Sequence, residues 1–182
     1  MSDDKTSAAH EWLDGQVDEM IDLQRELTAR PAVGPDSGGP GEHVKAEFLS
    51  EYCRSRGLPV LNRWDAADPR AEERVRPNFA VGLTEETPAT SKIWVMSHLD
   101  VVPPGEPDGE GGWKGWQGDP WTLRVENGKV YGRGVEDDQG GIVPSIFALL
   151  ALREVGHTPP LPVRLLFVSD QEPGSRFGLD HV

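Results

Sequence analysis

The stretch Lys-Ile-Trp-Val-Met-Ser-His-Leu-Asp at residues 92–100 joins a short apolar run to two side chains that can bind a metal or a proton. The run Lys92–Ser97 is compact and apolar, which is typical of a buried β-strand. His98 and Asp100 follow it directly. In open α/β sheets, functional residues gather beyond the carboxyl ends of the strands. The stretch therefore predicts an α/β fold with a site at one edge of its sheet.

Two further groups of acidic residues also follow predicted strands. Asp137 comes shortly after Lys129–Tyr131, and Glu172 comes shortly after the apolar run Val163–Val168. Residues that are far apart in sequence can meet where strands end at a common edge. We therefore expect His98, Asp137 and Glu172 to lie close together.

The remaining pattern alternates helices and strands, which supports a layered α/β fold. Asp65–Arg76 is predicted to be a charged, exposed loop, and Gly57 is placed as a helix C-cap. The predicted elements are a helix over Ser7–Arg30, a helix with Val44, Phe48, Leu49 and Tyr52 on one face, strands at Pro59–Arg63, Asn78–Leu83 and Lys92–Ser97, a hairpin over Thr122–Glu126 and Lys129–Tyr131 around Asn127-Gly128, a helix from Gly140 or Gly141 to Val155, and the strand Val163–Val168.

The composition of the chain excludes some classes of function. The net charge is −13, from 31 acidic and 18 basic residues, so the surface repels the phosphates of nucleic acids. Thirteen of the 18 basic residues are Arg, a balance that suits either a salt-adapted (halophilic) protein or an ordinary acidic cytosolic enzyme.

Cys53 is the single cysteine, which excludes an internal disulfide and a cysteine-based zinc site. The N-terminus lacks a signal-peptide pattern and the longest apolar stretch, Ile142–Leu152, is too short to span a bilayer, so we expect a cytoplasmic protein without a membrane partner.

One His and several carboxylates suit a hard or borderline divalent cation such as zinc, manganese or cobalt. Asp100 lies two residues after His98, where it could accept the second N–H of a metal-bound imidazole. The two carboxylate oxygens of Asp137 could bridge two ions. Each piece also has a simpler interpretation: a His-x-Asp pair can be a structural hydrogen bond, the acidic run Glu136–Asp138 a solvated turn, and residues 170–175 a polar loop.

Four stretches together resemble a family of zinc amidohydrolases that includes aminoacylase, succinyl-diaminopimelate desuccinylase, acetylornithine deacetylase, glutamate carboxypeptidase and several dipeptidases. They are Met-Ser-His-Leu-Asp-Val-Val-Pro-Pro-Gly at 96–105, Gly-Asp-Pro-Trp at 118–121, Gly-Lys-Val-Tyr-Gly-Arg-Gly-Val-Glu-Asp-Asp-Gln-Gly-Gly at 128–141, and Ser-Asp-Gln-Glu-Pro-Gly-Ser at 169–175. The resemblance implies that His98 binds one metal, Asp137 bridges two and Glu172 binds a metal. It also implies that Asp100 supports His98 and that the Asp137–Asp138 peptide is cis.

The resemblance further implies a fold and an activity. Residues 1–182 would be the N-terminal part of a zinc-exopeptidase catalytic domain, with helices on a mainly parallel sheet, and without the dimerisation domain and the C-terminal part of the catalytic domain. The cofactors would be two divalent ions, zinc first, with cobalt or manganese as alternatives. The parent enzyme would be a homodimer that hydrolyses amide bonds in N-acyl amino acids or short peptides.

Two departures from the family pattern lead to a second hypothesis. The general-base position, a Glu in the family, is Gln171, whose neutral amide cannot accept a proton. The neighbouring Asp170 is expected to point to the other side of an extended backbone. A further carboxylate ligand and a final His, which the family places downstream, are missing. The alternative function is therefore a catalytically inactive remnant or pseudoenzyme that binds metal at most, and a remnant is expected to expose an open sheet edge and an apolar surface.

Overall fold

The computed structural model describes residues 3–84 and 91–182, in which helices cover one face of a four-stranded sheet. A separate two-stranded hairpin lies in the long connection between the third strand and the last helix. The elements are α1 (Asp3–Asp14), α2 (Val17–Thr28), a short 3-10 turn (Pro35–Ser37), α3 (His43–Ser55), β1 (Val60–Ala67), β2 (Val75–Gly82), β3 (Ile93–His98), β4 (Arg124–Glu126), β5 (Lys129–Tyr131), α4 (Gln139–Glu154) and β6 (Val163–Val168).

The sheet has the strand order β1-β2-β6-β3. The α/β class is confirmed, but the expectation of a mainly parallel sheet is wrong. Only β3 and β6 pair in parallel, whereas β2 pairs antiparallel with both β1 and β6. The short connection between β1 and β2 requires these two strands to pair antiparallel, because a parallel pair needs a crossover of a dozen or more residues.

The main core lies between the helices and one face of the sheet. The rings of Phe79 on β2 and Phe167 on β6 are neighbours, with centroids 5.2 Å apart. Alternate residues of the same strands, Ala80 and Leu166, point to the opposite face and form a small second cluster with Val168. The main cluster is completed by buried residues of the helices, among them Leu23, Leu27, Leu49, Ile142, Ile146 and Leu150.

The helical part differs from the prediction in two places. The single helix expected over Ser7–Arg30 is two helices, because the chain turns at Gly15, whose N–H donates to Trp12 O. Glycine is a poor helix former, so this is where the break is cheapest. On α3, Val44 is 53% exposed rather than part of the buried face. The C-cap prediction was right: Gly57 follows α3 with a φ of 72°.

The segment predicted as an exposed loop, Asp65–Arg76, is strand at both of its ends. β1 continues to Ala67 and β2 begins at Val75, so the connecting turn is shorter than predicted. Arg76 is fully buried. Arg76 suggested a loop because two of its buried partners, Glu42 and Asp170, lie in other segments, which sequence spacing does not reveal.

The hairpin and the last helix follow the prediction. β4 and β5 pair across Asn127 and Gly128, both of which have positive φ values, as a two-residue hairpin turn requires. α4 ends at Glu154 and is followed by Gly156. Within the two described ranges, no helix combines the length and apolarity needed to cross a bilayer.

β3 is a strand, as predicted, but only its last two residues are buried. In the described part of the chain it pairs only with β6 and forms one edge of the sheet. Four consecutive apolar side chains of this strand are between 38% and 47% exposed. They are Ile93, Trp94, Val95 and Met96. Because strand residues alternate between faces, both faces of this edge are apolar and accessible.

We expect the chain to self-associate through β3, because an apolar edge with free backbone groups is a template for pairing. Trp94→Lys should lower the associated fraction by about twofold or more, since a charge on an edge strand opposes pairing. Light scattering over a concentration series measures this. Val44→Lys is the matched control, because Val44 has a similar exposure but lies on a helix. An equal effect of both changes, or a wild-type chain that stays monomeric, would contradict the expectation.

Candidate metal centre

His98 is the last residue of β3, and its buried ring has an oxygen atom beside each nitrogen. Nδ1 lies 2.9 Å from the backbone oxygen of Asp100, and Nε2 lies 2.8 Å from Oδ1 of Asp137. Burial opposes a charge on the ring, but the Asp100 and Asp137 carboxylates outweigh it and raise the pKa of His98 to about 9. The metal-free ring therefore carries a proton at neutral pH that a cation would have to displace.

Asp100 supports His98 differently from the sequence prediction. The imidazole faces the backbone carbonyl of Asp100, whereas the nearest carboxylate oxygen is 3.5 Å from Nδ1. The carboxylate instead accepts the backbone N–H groups of Gln171 and Glu172, at 3.0 and 2.9 Å. Burial alone would raise the pKa of Asp100. The interaction with His98 and these two N–H donors outweighs burial and holds that pKa below its usual range. Asp100 thus ties the end of β3 to the segment that carries Glu172.

Asp137 and Glu172 complete the group. One ligand atom each of His98, Asp137 and Glu172 lies within 4.8 Å of the others. The Asp137 side chain is 74% exposed, so it reaches the centre from the solvent side. The structure therefore brings together the three side chains that the sequence singled out as ligands. Their role in metal binding stays a prediction.

The segment after Asp137 is held close to β3. The Asp137–Asp138 peptide is cis, as the resemblance implied. The carboxylate of Asp138 accepts the backbone N–H of His98 at 3.0 Å. A side chain at Gly141 would collide with Asp138 and with Ser97, so the glycine at the start of α4 permits this approach.

The charges at the centre favour a cation. Burial and the negative charge of Asp137 raise the pKa of Glu172. Arg133 was not singled out from the sequence. Its positive charge interacts with the carboxylates of Glu172 and Asp137. Its guanidinium lies 5.0 Å from the ring centroid of Trp116, and its Nε is buried without a hydrogen-bond partner among the described residues. The only sequence signal for Arg133 is its place within residues 128–141, between Gly132 and Gly134.

The two residues before Glu172 do not supply an obvious base. Gln171 is exposed, and its backbone N–H is bound to Asp100. Asp170 points away from the centre, but for a different reason from the predicted one. Its backbone is not extended: φ is 64°, in the left-handed region, and its carboxylate is buried against Arg76.

Comparison with known proteins agrees with this geometry. Residues 94–182 match the profile of Peptidase family M20/M25/M40. This part of the chain belongs to that family. The chain is 33% identical over 172 residues to an uncharacterized metallohydrolase of Methanocaldococcus jannaschii, covering 91% of this chain and 40% of that protein. It is 33% identical over 159 residues to a succinyl-diaminopimelate desuccinylase of Gluconacetobacter diazotrophicus, covering 87% and 36% of the two chains.

The fold of the M20 relatives is shared as well. A dipeptidase of Saccharomyces cerevisiae superposes with a TM-score of 0.76 at 24% identity, over 97% of this chain and 37% of that one. At this identity, the likeness shows the fold. The chain thus spans roughly two fifths of the length of the relatives it matches.

Removal of the His98 imidazole should weaken metal binding. We expect His98→Ala to lower the affinity for Zn²⁺ or Co²⁺ by at least about 100-fold, since even the loss of an outer partner typically costs 10–100-fold. Isothermal titration calorimetry measures the affinity. His10→Ala, on the exposed face of α1, is the control and should bind as the wild type does. Equal affinities of all three proteins would exclude His98 as a ligand.

Metal affinity should also rise with pH. The cation must displace the proton that His98 holds up to a pKa of about 9. Between pH 6 and pH 8 the apparent affinity should therefore increase about tenfold per pH unit, with about one proton released per ion bound. Calorimetry in two buffers of different ionisation enthalpy counts that proton. An affinity that is flat over this range would contradict the assignment of His98.

Proposed function

We propose that this chain provides the metal-binding N-terminal part of an amide hydrolase that acts on N-acyl amino acids or short peptides. The observation that carries the proposal is the convergence of His98, Asp137 and Glu172 within 4.8 Å at the ends of separate segments. Membership in the M20 family supports the reaction type. The names of its relatives, a desuccinylase and a dipeptidase among them, support the substrate class.

The residues present fit divalent ions, zinc in the first place. One imidazole nitrogen and two carboxylates are a donor set that zinc, cobalt and manganese accept. The carboxylates of Asp137 and Glu172 repel each other, which is one reason why the pKa of Glu172 is raised. A cation held between them would relieve that repulsion. Such ions, when bound, supply a Lewis acid for the substrate carbonyl and a nucleophilic water at neutral pH.

The protein's own part in this chemistry is orientation and charge. Asp100 fixes the His98 ring through its backbone oxygen and holds the Glu172 segment through its carboxylate. Arg133 places a positive charge beside the acidic centre, where it suits the free carboxylate of an acyl amino acid or peptide. We assign Arg133 this substrate-binding role.

The same residues argue against efficient turnover by the 182-residue chain alone. Gln171 offers no proton acceptor, and general-base catalysis typically supplies about 10²–10⁴-fold in rate. Among the described residues, the candidate ligands that converge at the centre are His98, Asp137 and Glu172. The alternative is a non-catalytic protein that binds metal at most.

We therefore expect no enzymatic hydrolysis by this chain. N-succinyl and N-acetyl amino acids and dipeptides are assayed in high salt with added zinc, cobalt or manganese. Gln171→Glu should rescue nothing in the 182-residue chain, because the restored base would still face an incomplete set of ligands. The Gluconacetobacter desuccinylase, assayed in parallel, controls for the conditions. Chelator-sensitive turnover by the unmodified chain would show that its own residues suffice and would contradict the remnant hypothesis.

A further inference from the structure

Arg76 lies at the centre of a buried cluster of charges that it forms with Glu42, Asp68 and Asp170. Its Nε lies 2.5 Å from one carboxylate oxygen of Glu42, and its Nη2 binds the other. Nη1 lies 3.1 Å from Oδ1 of Asp170 and 3.5 Å from Oδ2 of Asp68. All four side chains are almost completely inaccessible, so water cannot replace the guanidinium as a partner of these carboxylates.

Asp170 connects this cluster to the turn that carries Glu172. The Oδ2 atom of Asp170 accepts the backbone N–H of Phe177 at 2.9 Å, and its backbone oxygen accepts that of Ser175 at 2.6 Å. Its Oδ1 is buried and accepts no hydrogen bond among the described residues. The charge of Arg76 is therefore what compensates the burial of this oxygen.

The residues that follow Asp170 are held from the other side. Asp100 accepts the backbone N–H groups of Gln171 and Glu172. The turn is thus fixed at two points, by Arg76 through Asp170 and by Asp100 through the next two amides. Between these points the Glu172 side chain leaves the turn and reaches the centre at His98.

We propose that Arg76 is a positioning residue for Glu172, acting through its ion pair with Asp170 to fix the turn that presents the Glu172 carboxylate to the metal centre. This inference rests on the proposed role of Glu172 as a metal ligand. It differs from a purely stabilising role, because Glu42 and Asp68 also neutralise Arg76 but do not belong to the turn. Only a positioning role makes metal affinity depend on Asp170 more than on Asp68.

Two variants and a matched control test the proposal. Asp170→Asn removes the charge but keeps an oxygen for the Phe177 N–H, and Asn tolerates the left-handed backbone at this position. Arg76→Lys keeps the charge of the cluster but not the fork that reaches several carboxylates at once. Asp68→Asn is the control, because it removes a carboxylate from the same guanidinium outside the turn.

We expect Asp170→Asn and Arg76→Lys each to lower the Zn²⁺ or Co²⁺ affinity by about tenfold, and the double variant to lose no more than one of them. Asp68→Asn should stay within about twofold of the wild type. Hydrogen exchange at the amides of Gln171 and Glu172 should be faster in the first two variants and unchanged in the control. Should Arg76→Lys fail to fold, Asp170→Asn against Asp68→Asn decides the question.

Two results would overturn the inference: unchanged exchange at Gln171 and Glu172 in Asp170→Asn, or an equal loss of metal affinity in Asp68→Asn. A wild-type chain that binds no metal would instead contradict the proposed function. In that case the exchange rates alone decide whether Arg76 fixes the turn, since they need no metal.

Discussion

The candidate centre depends on one residue, Asp100, which contacts other parts of the centre through both its backbone oxygen and its carboxylate. Its carbonyl oxygen faces the ring of His98, and its carboxylate accepts the amides of Gln171 and Glu172. These contacts join the end of β3 to the segment after β6, which are neighbours in the sheet only because those two strands pair in parallel. Without the parallel pair the two ends would point in opposite directions and could not share a site.

Most of the centre is arranged by main-chain hydrogen bonds. The amides of residues 171 and 172 are fixed by Asp100, and the amide of His98 is fixed by Asp138. Burial and the nearby charge of Asp137 raise the pKa of Glu172.

The sequence was sufficient where local rules determine the structure. The Asn127-Gly128 turn, the Gly57 cap and the apolar strand at residues 163–168 follow from backbone preferences and short-range pattern. The sequence was insufficient where a partner far away in the chain determines whether a residue is buried. Arg76 looks like part of an exposed loop, because nothing near it in sequence shows that Glu42 and Asp170 will enclose it. The predicted Asp100 carboxylate does lie beside the His98 ring, at 3.5 Å, but the tight turn after β3 brings the Asp100 carbonyl oxygen closer, at 2.9 Å.

The exposed edge and the candidate centre are parts of the same strand, and this links their behaviour. His98 ends β3, whose preceding residues, such as Trp94 and Met96, have no neighbour on one side among the described residues. Edge strands open locally more easily than central strands, because fewer contacts oppose it. Among the described residues, His98 is held by the pairing of β3 with β6 and by contacts with Asp100 and Asp138. Any polypeptide that pairs with β3 would therefore also stiffen the imidazole, and metal affinity should report on the covering of that edge.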